Sequence, residues 1–508
     1  MMRYPQGRAV GLEAIDAIHL MENHDRAYRL WKETGFKERI LVHIDAHHDM
    51  WWTDDLRSLS IANFICPALK ENIVREVYWV VPDATWDSHS SRAALRRHLQ
   101  KILDRYPGDR AAIRWERRRI RTSVLGRALV VCSLDSLPRP GEPVLLDIDT
   151  DYLMIPQVSY GEWDTHSPLP WRWPSELVEL LRAREIGTDF VTIAYSVEGG
   201  YTPLHWKYLG GELAFRLRRP DGGDALEPYE RMREGTTAQL EGDGARAEAA
   251  FRAVGDRLGA APYSCLAHLM ADHGRTEEGR DFYRRALTLD PSYRADFSSP
   301  GVSLYFARSY AAAERAFRRT LLLDPADASA HLGLGWIAAH RRRWALAEQH
   351  ARASLARRPD LIDAHCVLAK ALAKQDRLDE ALQSYEQSLK LGLAGHRPFD
   401  GVIATDPERG RMLDSGHGRT HALLAALYER KGDRKRAIVG YKIAVETGGD
   451  SASVRLRLAR LYARQHMWSD ARQHAIVGLK RTPKAAKVRF ARVRHRARTL
   501  WTARRKTV

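Results

Sequence analysis

Cysteine is scarce in this chain: four in 508 residues, at Cys66, Cys132, Cys265 and Cys366, with no CxxC pair. That scatter excludes a disulfide framework and a zinc knuckle and predicts reduced, mostly buried thiols. No apolar run approaches the ~18 residues of a membrane span. The opening stretch MMRYPQGRAVGLEAID lacks the apolar segment of a secretion signal, so a cytoplasmic protein is the expectation. Acid is nearly missing from the end of the chain: residues 451–508 hold seventeen Lys and Arg against one acid, Asp470. That stretch carries +16 of the net +17, so the rest is close to neutral and the basic total does not describe the protein as a whole.

The length exceeds the roughly 250–300 residues that one core can serve, so two or more domains are expected. What is present divides in two. Residues 1–220 alternate short β-rich runs with helical stretches: RILVHID (39–45), REVYWVVP (75–82), ALVVCSL (128–134), PVLLDID (143–149) and DFVTIAYS (189–196) are apolar runs of strand length. Between them fall helical segments such as 92–103 and 174–185, the latter opened by Pro174. The alternation predicts an α/β domain with a mainly parallel sheet, whose ligands bind beyond the carboxyl ends of the strands. Residues 216–228 are rich in Pro, Gly and charge, and a linker is expected over 221–245.

From about Arg246 strands vanish and a repeat takes over. Pro291, Pro325 and Pro359 are 34 apart, as are Gly449 and Pro483, which is the tetratricopeptide period. Twelve positions before each lies a small residue (Gly279, Ala313, Ala347, Ala437, Ala471), and in most copies an aromatic lies eight before it (Tyr283, Phe317, Tyr441); Ala381 and Tyr385 keep the phase in a copy that ends on Leu393. Small residues let antiparallel helices approach, the aromatic fills the gap between hairpins and proline stops the second helix. An all-α tetratricopeptide solenoid over 246–485 is predicted, with copies at 260–293, 294–327, 328–361, 362–395, 418–451 and 452–485, an irregular insertion at 395–417 and a basic tail at 486–508. Its concave face suits a peptide or protein partner. The tail suits an acidic partner; without interleaved aromatics its Arg and Lys argue against sequence-specific reading of nucleic acid.

Two short acidic phrases end two of the strands. HIDAHHDM supplies His43, Asp45, His47, His48 and Asp49, and DIDTD supplies Asp147, Asp149 and Asp151. If the pleat continued past Asp45, positions 43, 45 and 47 would face one side, with Asp49 two residues on. A donor set this rich in carboxylate favours manganese or magnesium over zinc. Packing a core asks for neither phrase.

The Asp45-Ala46-His47-His48-Asp49 and Asp147-Ile148-Asp149 motifs resemble those of the ureohydrolase superfamily of arginases and deacetylases. Residues 1–215, from IHLMENHDRAYRLW to TIAYSVEGGYTPLHW, look like its small arginase-like branch, which includes peptide arginases. The resemblance implies an arginase-like fold, two Mn2+ ions and hydrolysis of peptidyl arginine to ornithine and urea. It makes Asp45 and Asp147 bridging ligands, with Asp49 on one ion and His47 and Asp149 on the other. His24 in MENHDRAYRLW matches the remaining ligand, with His19 and His43 as rivals; His43 is read as a buried donor orienting a ligand, and His48 as structural. A water shared by two divalent cations would attack the guanidinium carbon, and Asp49 would pass a proton to the departing amine.

The pattern departs from that family at two places. Alignment on Thr202-Pro203 puts Ala194 where the family's guanidinium-binding acid falls; Glu198, four residues later, is the nearest replacement, against a reading as a turn residue. The family's histidine proton shuttle is also missing, and Asn63 stands in that region, to position substrate or to cap the following helix. A deacetylase-like site with one metal, another amide or amidine hydrolase, and a repeat-based adaptor whose metal domain is not catalytic remain as alternatives. Trp51, Trp52, Trp171 and Trp173 wall a peptide cleft or serve as ordinary packing.

Overall fold

A computed structural model describes residues 15, 17–54, 59–106, 112–158, 167–197, 201–219, 222–393, 407–446 and 449–480. The chain forms two compact units whose main division falls between Ser309 and Tyr310, at the start of the helix Tyr310–Leu323.

The first unit is built on an eight-stranded sheet: β1 (Ile18–Met21), β2 (Arg39–Ile44), β3 (Val74–Val80), β4 (Arg114–Glu116), β5 (Arg119–Val124), β6 (Arg127–Cys132), β7 (Val144–Asp149) and β8 (Thr188–Ala194). Its order is β1-β8-β7-β2-β3-β6-β5-β4, parallel from β1 through β6 and antiparallel at the β6-β5-β4 edge. All five apolar runs read from the sequence are strands. Three further strands, β1, β4 and β5, are short or rich in arginine and carry no such run.

Alternation along the central strands explains both faces. Ile40, Val42 and Ile44 join Leu146, Ile148, Val191 and Ile193 in one core, beneath the helices Pro174–Ala183 and Tyr208–Arg218. On the opposite face the amino half of β2, β7 and β8 is apolar, where Leu41, Leu145 and Phe190 pack against Trp31, Phe64 and Leu99. Its carboxyl half carries His43, Asp147 and Thr192, which the register sets side by side across β2, β7 and β8. The strands β2 and β7 are neighbours, yet β2 leads to β3 on one side and β7 to β8 on the other, so a crevice opens between their carboxyl ends.

The expected linker at 221–245 is instead helical. After the turn Gly223–Leu226, Pro228 sits in the first turn of the helix Glu227–Glu241, and Gly242 at φ 83° ends it in the left-handed conformation favoured by glycine. With Gly244–Val254 this helix makes an additional hairpin, whose Met232, Ala238 and Phe251 belong to the core of the α/β layer. The proline and glycines read as linker punctuation cap helices here.

Two helices follow along the chain in each expected repeat: Ala261–Asp272 and Thr276–Leu289, Arg294–Phe306 and Tyr310–Leu323, Ala328–His340 and Trp344–Arg357, Ile362–Lys374 and Leu378–Leu393, Pro407–Arg430 and Arg434–Glu446, and Ala452–Arg464 and Trp468–Lys480. The fifth pair begins early, so residues 407–417 of the expected insertion are helical, while 394–406 lie outside the described residues. The small residues Ala313, Ala347, Ala381, Ala437 and Ala471 are fully buried, as the close approach of paired helices requires. Within the second unit a Cβ on Gly333 would lie 2.1 Å from the Phe317 ring, so the close packing of that ring depends on its absence. The basic tail, 486–508, lies outside the described residues. No described helix is long and apolar enough to cross a membrane.

Candidate metal centre

The crevice between β2 and β7 collects acidic and imidazole side chains from the ends of four adjacent strands. Asp45 follows the last residue of β2, Asp147 and Asp149 lie in β7, Ser196 follows β8, and His24 stands just beyond β1 before the helix Arg26–Glu33. Asp45, Asp49, Asp147, Asp149 and Asp151 are all buried, as are His24 and His43; His47 is part-exposed.

Distances define one cluster. His24 Nε2 is 2.8 Å from Asp147 Oδ2, and its Nδ1 is 3.1 Å from Asp149 Oδ2 and 3.4 Å from oxygens of both Asp45 and Asp49. His43 Nδ1 lies 2.8 Å from the same Asp147 Oδ2, and Thr192 Oγ1 donates to the other Asp147 oxygen, so this carboxylate is held at both ends. Ser196 Oγ donates to Asp149 Oδ2 at 2.5 Å. The backbone N–H of Asp151 donates to Asp149 Oδ1 at 2.9 Å, and His47 Nδ1 is 2.7 Å from Asp151 Oδ2.

The pleat does not continue to Asp49. The strand stops at Ile44, the His47 N–H donates to Asp45 Oδ1 at 2.6 Å in a tight turn, and Asp49 sits at φ 48°. A non-glycine residue held left-handed costs backbone energy that the surrounding structure must offset. Here it returns the Asp49 carboxylate to the cluster. Ser196 adopts the same conformation at φ 50°.

Five buried carboxylates repel one another, and among the described residues their cationic neighbours are histidines alone. Two unit charges about 4 Å apart repel by about 4 kcal/mol at an effective dielectric near 20. The proton affinities reflect this crowding. Burial pushes Asp49 up to about 6, reinforced by the Asp45 charge, and burial with the Asp149 and Asp45 charges raises Asp151 well above the usual range. Burial opposes ionisation of Asp147 too, but His24 and His43 hold it down at about 2; His24, His47 and His43 likewise hold Asp45 well below the usual range. His24 is raised well above an ordinary histidine, its burial overcome by Asp147 and the neighbouring carboxylates.

Both nitrogens of His24, His43 Nε2, Asp45 Oδ2 and both oxygens of Asp151 are buried without a hydrogen bond of acceptable geometry, although charged atoms of opposite kind lie within 3.4 Å of each of these residues. Donor atoms packed closely but aimed past one another are what a cation would organise. Four overlapping groups have atoms close enough to hold an ion: His24, His43 and Asp147; His24, Asp45 and Asp149; His43, Asp45 and Asp49; and Asp45, His47 and Asp151. The residues present therefore fit a divalent cation, and Asp45 belongs to three of the groups.

All six residues expected as ligands, His24, Asp45, His47, Asp49, Asp147 and Asp149, come together. Asp151, named in the second acidic phrase but not assigned as a ligand, joins them, and Thr192 joins them unforeseen. Asp151 had its signal in the DIDTD alternation, whereas Thr192 has none along the chain, since only strand register puts it beside Asp147. The rival His19 lies in β1, stacked on Phe190 with centroids 4.6 Å apart. His48 accepts the Met50 N–H at 2.8 Å, and burial with the neighbouring His98 drives its proton affinity well down.

Ala194 is the buried last residue of β8, so no acid stands at that strand end. Glu198 lies outside the described residues. Asn63 Oδ1 accepts the Ser60 N–H at 2.9 Å, closing the turn ahead of the helix Ile65–Lys70, whose N-cap is Phe64; its side chain does not serve as that cap. The tryptophans are packed. Arg105 lies 3.9 Å over Trp51, Lys70 lies 3.6 Å over Trp52, and the Trp171 and Trp173 rings stack edge-on with Tyr152 and Trp206.

Comparison with known proteins bears on the helical half. A family model described as tetratricopeptide repeat matches residues 301–362, and a second of the same description matches 362–391. No curated protein matches the chain. Among solved structures it is similar to a chain of the APC/C hetero-tetramer Cut9-Hcn1, 13% identical with a TM-score of 0.34, covering 56% of this chain and 49% of that one. It is also similar to a thermophilic tetratricopeptide protein of Thermus thermophilus, at 22% identity and a TM-score of 0.28 over 39% of this chain and 98% of that one. Yeast Tom70 follows at 16% identity and a TM-score of 0.32, covering 58% and 61%. The chain spans about half the length of the Cut9-Hcn1 chain it matches. The C-terminal half is a tetratricopeptide solenoid, and the N-terminal region is an α/β layer with a mostly parallel sheet.

Proposed function

We propose that the buried cluster holds two divalent cations, Mn2+ by preference, in a hydrolase that converts arginine side chains of a polypeptide to ornithine with release of urea, and that the helical repeats recruit that polypeptide. The observation that carries the metal reading is the burial of five carboxylates in one crevice with, among the described residues, only imidazoles to balance them. A carboxylate-rich donor set suits manganese or magnesium, and Asp45 and Asp147 are the bridging candidates. When bound, such a pair of cations supplies hydroxide near neutral pH.

The chain's own groups do the rest. Thr192 and His43 hold the Asp147 carboxylate, and Ser196 holds Asp149, so the donors keep their orientation. Asp49, whose carboxylate lies 3.4 Å from His24 at the edge of the cluster, is assigned the transfer of a proton to the departing amine. Glu198 is assigned to the guanidinium and Asn63 to substrate contact. The tetratricopeptide matches support a polypeptide as substrate, because a protein-interaction scaffold in the same chain raises the local concentration of a tethered side chain.

The test is metal analysis of the purified protein, then mass spectrometry of candidate peptides for a loss of ~42 Da per arginine, the difference from ornithine after water attack at the guanidinium carbon. Urea release should need metal and vanish in Asp45→Ala with Asp147→Ala. A metal-free protein, or a doubly substituted one with full activity, sinks the reading. The lack of an acid at Ala194 favours a second reading, a repeat-based adaptor whose metal cluster is not catalytic. It predicts stoichiometric metal, retained partner binding in the double variant and no urea from any peptide that binds.

A further inference from the structure

Three arginines gather farther along the same carboxyl edge of the sheet. Register places Arg119 opposite Cys132, the last residue of β6, and β6 runs parallel to β3 and β2. The turn between β4 and β5, carrying Arg117 and Arg118, therefore stands at the edge where β2 and β7 present their carboxylates. So does the single turn Asp83–Trp86 after β3, which leads through Asp87 and Ser88 into the helix His89–Leu103. Trp86, Asp87, Arg92, Arg117 and Arg118 line a hollow of about 520 Å³.

Its chemistry is one-sided. Among the lining residues three arginines meet one carboxylate, that of Asp87, which lies 3.7 Å from Arg118 with both side chains more than half exposed, too long for a firm hydrogen bond; the nearby Asp83 is paired with Arg172 at 2.6 Å. Arg92 donates to the Trp86 carbonyl at 2.5 Å and sits in the first turn of a fifteen-residue helix, where the unpaired N–H groups and the dipole also favour negative charge. Trp86 is 2% exposed, its ring packed edge-on against Trp115 with centroids 6.4 Å apart. A wall of donors with one weakly engaged acceptor is complementary to an oxyanion.

We propose that this hollow is a subsite for the carboxylate of an acidic side chain in a polypeptide ligand. The choice of a polypeptide rests on the reading above. The hollow spans β3 to β5, on the order of 10 Å along the edge from β2 at ~4.8 Å per strand. An extended peptide covers that in roughly three residues at ~3.3 Å each. The acidic residue would thus lie a few positions from the residue engaged at the crevice.

The test is isothermal titration of the full-length protein at low salt with two probes, an acetylated and amidated Glu-Ala-Ala-Glu peptide and inorganic phosphate, all in EDTA. The peptide should bind, with affinity lowered at least about tenfold in Arg117→Ala with Arg118→Ala and raised severalfold in Asp87→Asn, which removes the competing acid. Arg118 and Asp87 are exposed, so these changes leave the fold intact, as circular dichroism would verify. Equal binding by parent and double variant, no peptide binding, or arginine-dependent binding of phosphate alone would each overturn the proposal. Because the titration runs without metal, its failure is separate from loss of the metal reading, which is judged by metal content.

Discussion

The carboxyl edge of the sheet and the repeat helices bury their side chains under opposite rules. In the repeats, buried positions recur with the same kind of residue at the same phase, such as Ala313, Ala347, Ala381, Ala437 and Ala471, and each satisfies only its neighbours. At the sheet edge the buried positions are charged, none is equivalent to another, and Asp147 alone engages His24, His43 and Thr192. Stability is therefore spread along the solenoid, whereas the sheet edge, where the proposed function is placed, spends stability on like charges. A substitution should reveal which rule applies by whether its effect stays local.

The sharpest break in the comparison is Asp147→Ala. It removes a carboxylate shared by two imidazoles, so metal affinity should fall by about 100-fold or more, read as metal content after dialysis, while the helical signal persists. Retained metal would show that Asp147 is not a ligand. In the repeats, Gly333→Ala puts a methyl against the Phe317 ring and should cost about 1–3 kcal/mol in denaturant unfolding, with metal content unchanged. Metal loss in that variant would mean that the two rules are coupled. Thr192→Val keeps shape but deletes one hydrogen bond to Asp147, and an affinity loss of about 10-fold is expected by metal titration. The smallest effect concerns pH. Asp49, raised to about 6 by burial and Asp45, takes up a proton as pH falls through that value, so metal should bind more weakly below it, in competition titrations at constant ionic strength. Without metal the sign reverses for stability: the folded state holds this proton more firmly than the unfolded chain, so stability from Asp49 is present at low pH and is lost as pH rises from about 4 through about 6.

Much of this could be read from the chain alone, for identifiable reasons. The strands β2, β3, β6, β7 and β8 are covered on both faces, so their apolar runs are unbroken. The strand β1 is four residues, IHLM, and β4 and β5 carry arginines on an edge, so neither period nor composition announces them. The helical hairpin at 227–254 was hidden by the Pro and Gly that cap it. Those residues mark chain reversals of any kind, and whether a reversal joins domains or helices depends on what the flanking apolar residues find to pack against.

The amino-acid sequence by itself determined the two periods, the 34-residue spacing and the acidic phrases at two strand ends, because these are local matters of pleat, helix turn and terminating residue. Which of the polar groups meet was decided only by the tertiary structure. Thr192 reaches Asp147 through strand register, Asp49 comes back through a left-handed turn, and His24 enters from a strand at the opposite end of the chain order. Proximity across a sheet depends on which strands become neighbours, and that is settled by the burial of whole faces, a property that no short stretch of residues carries.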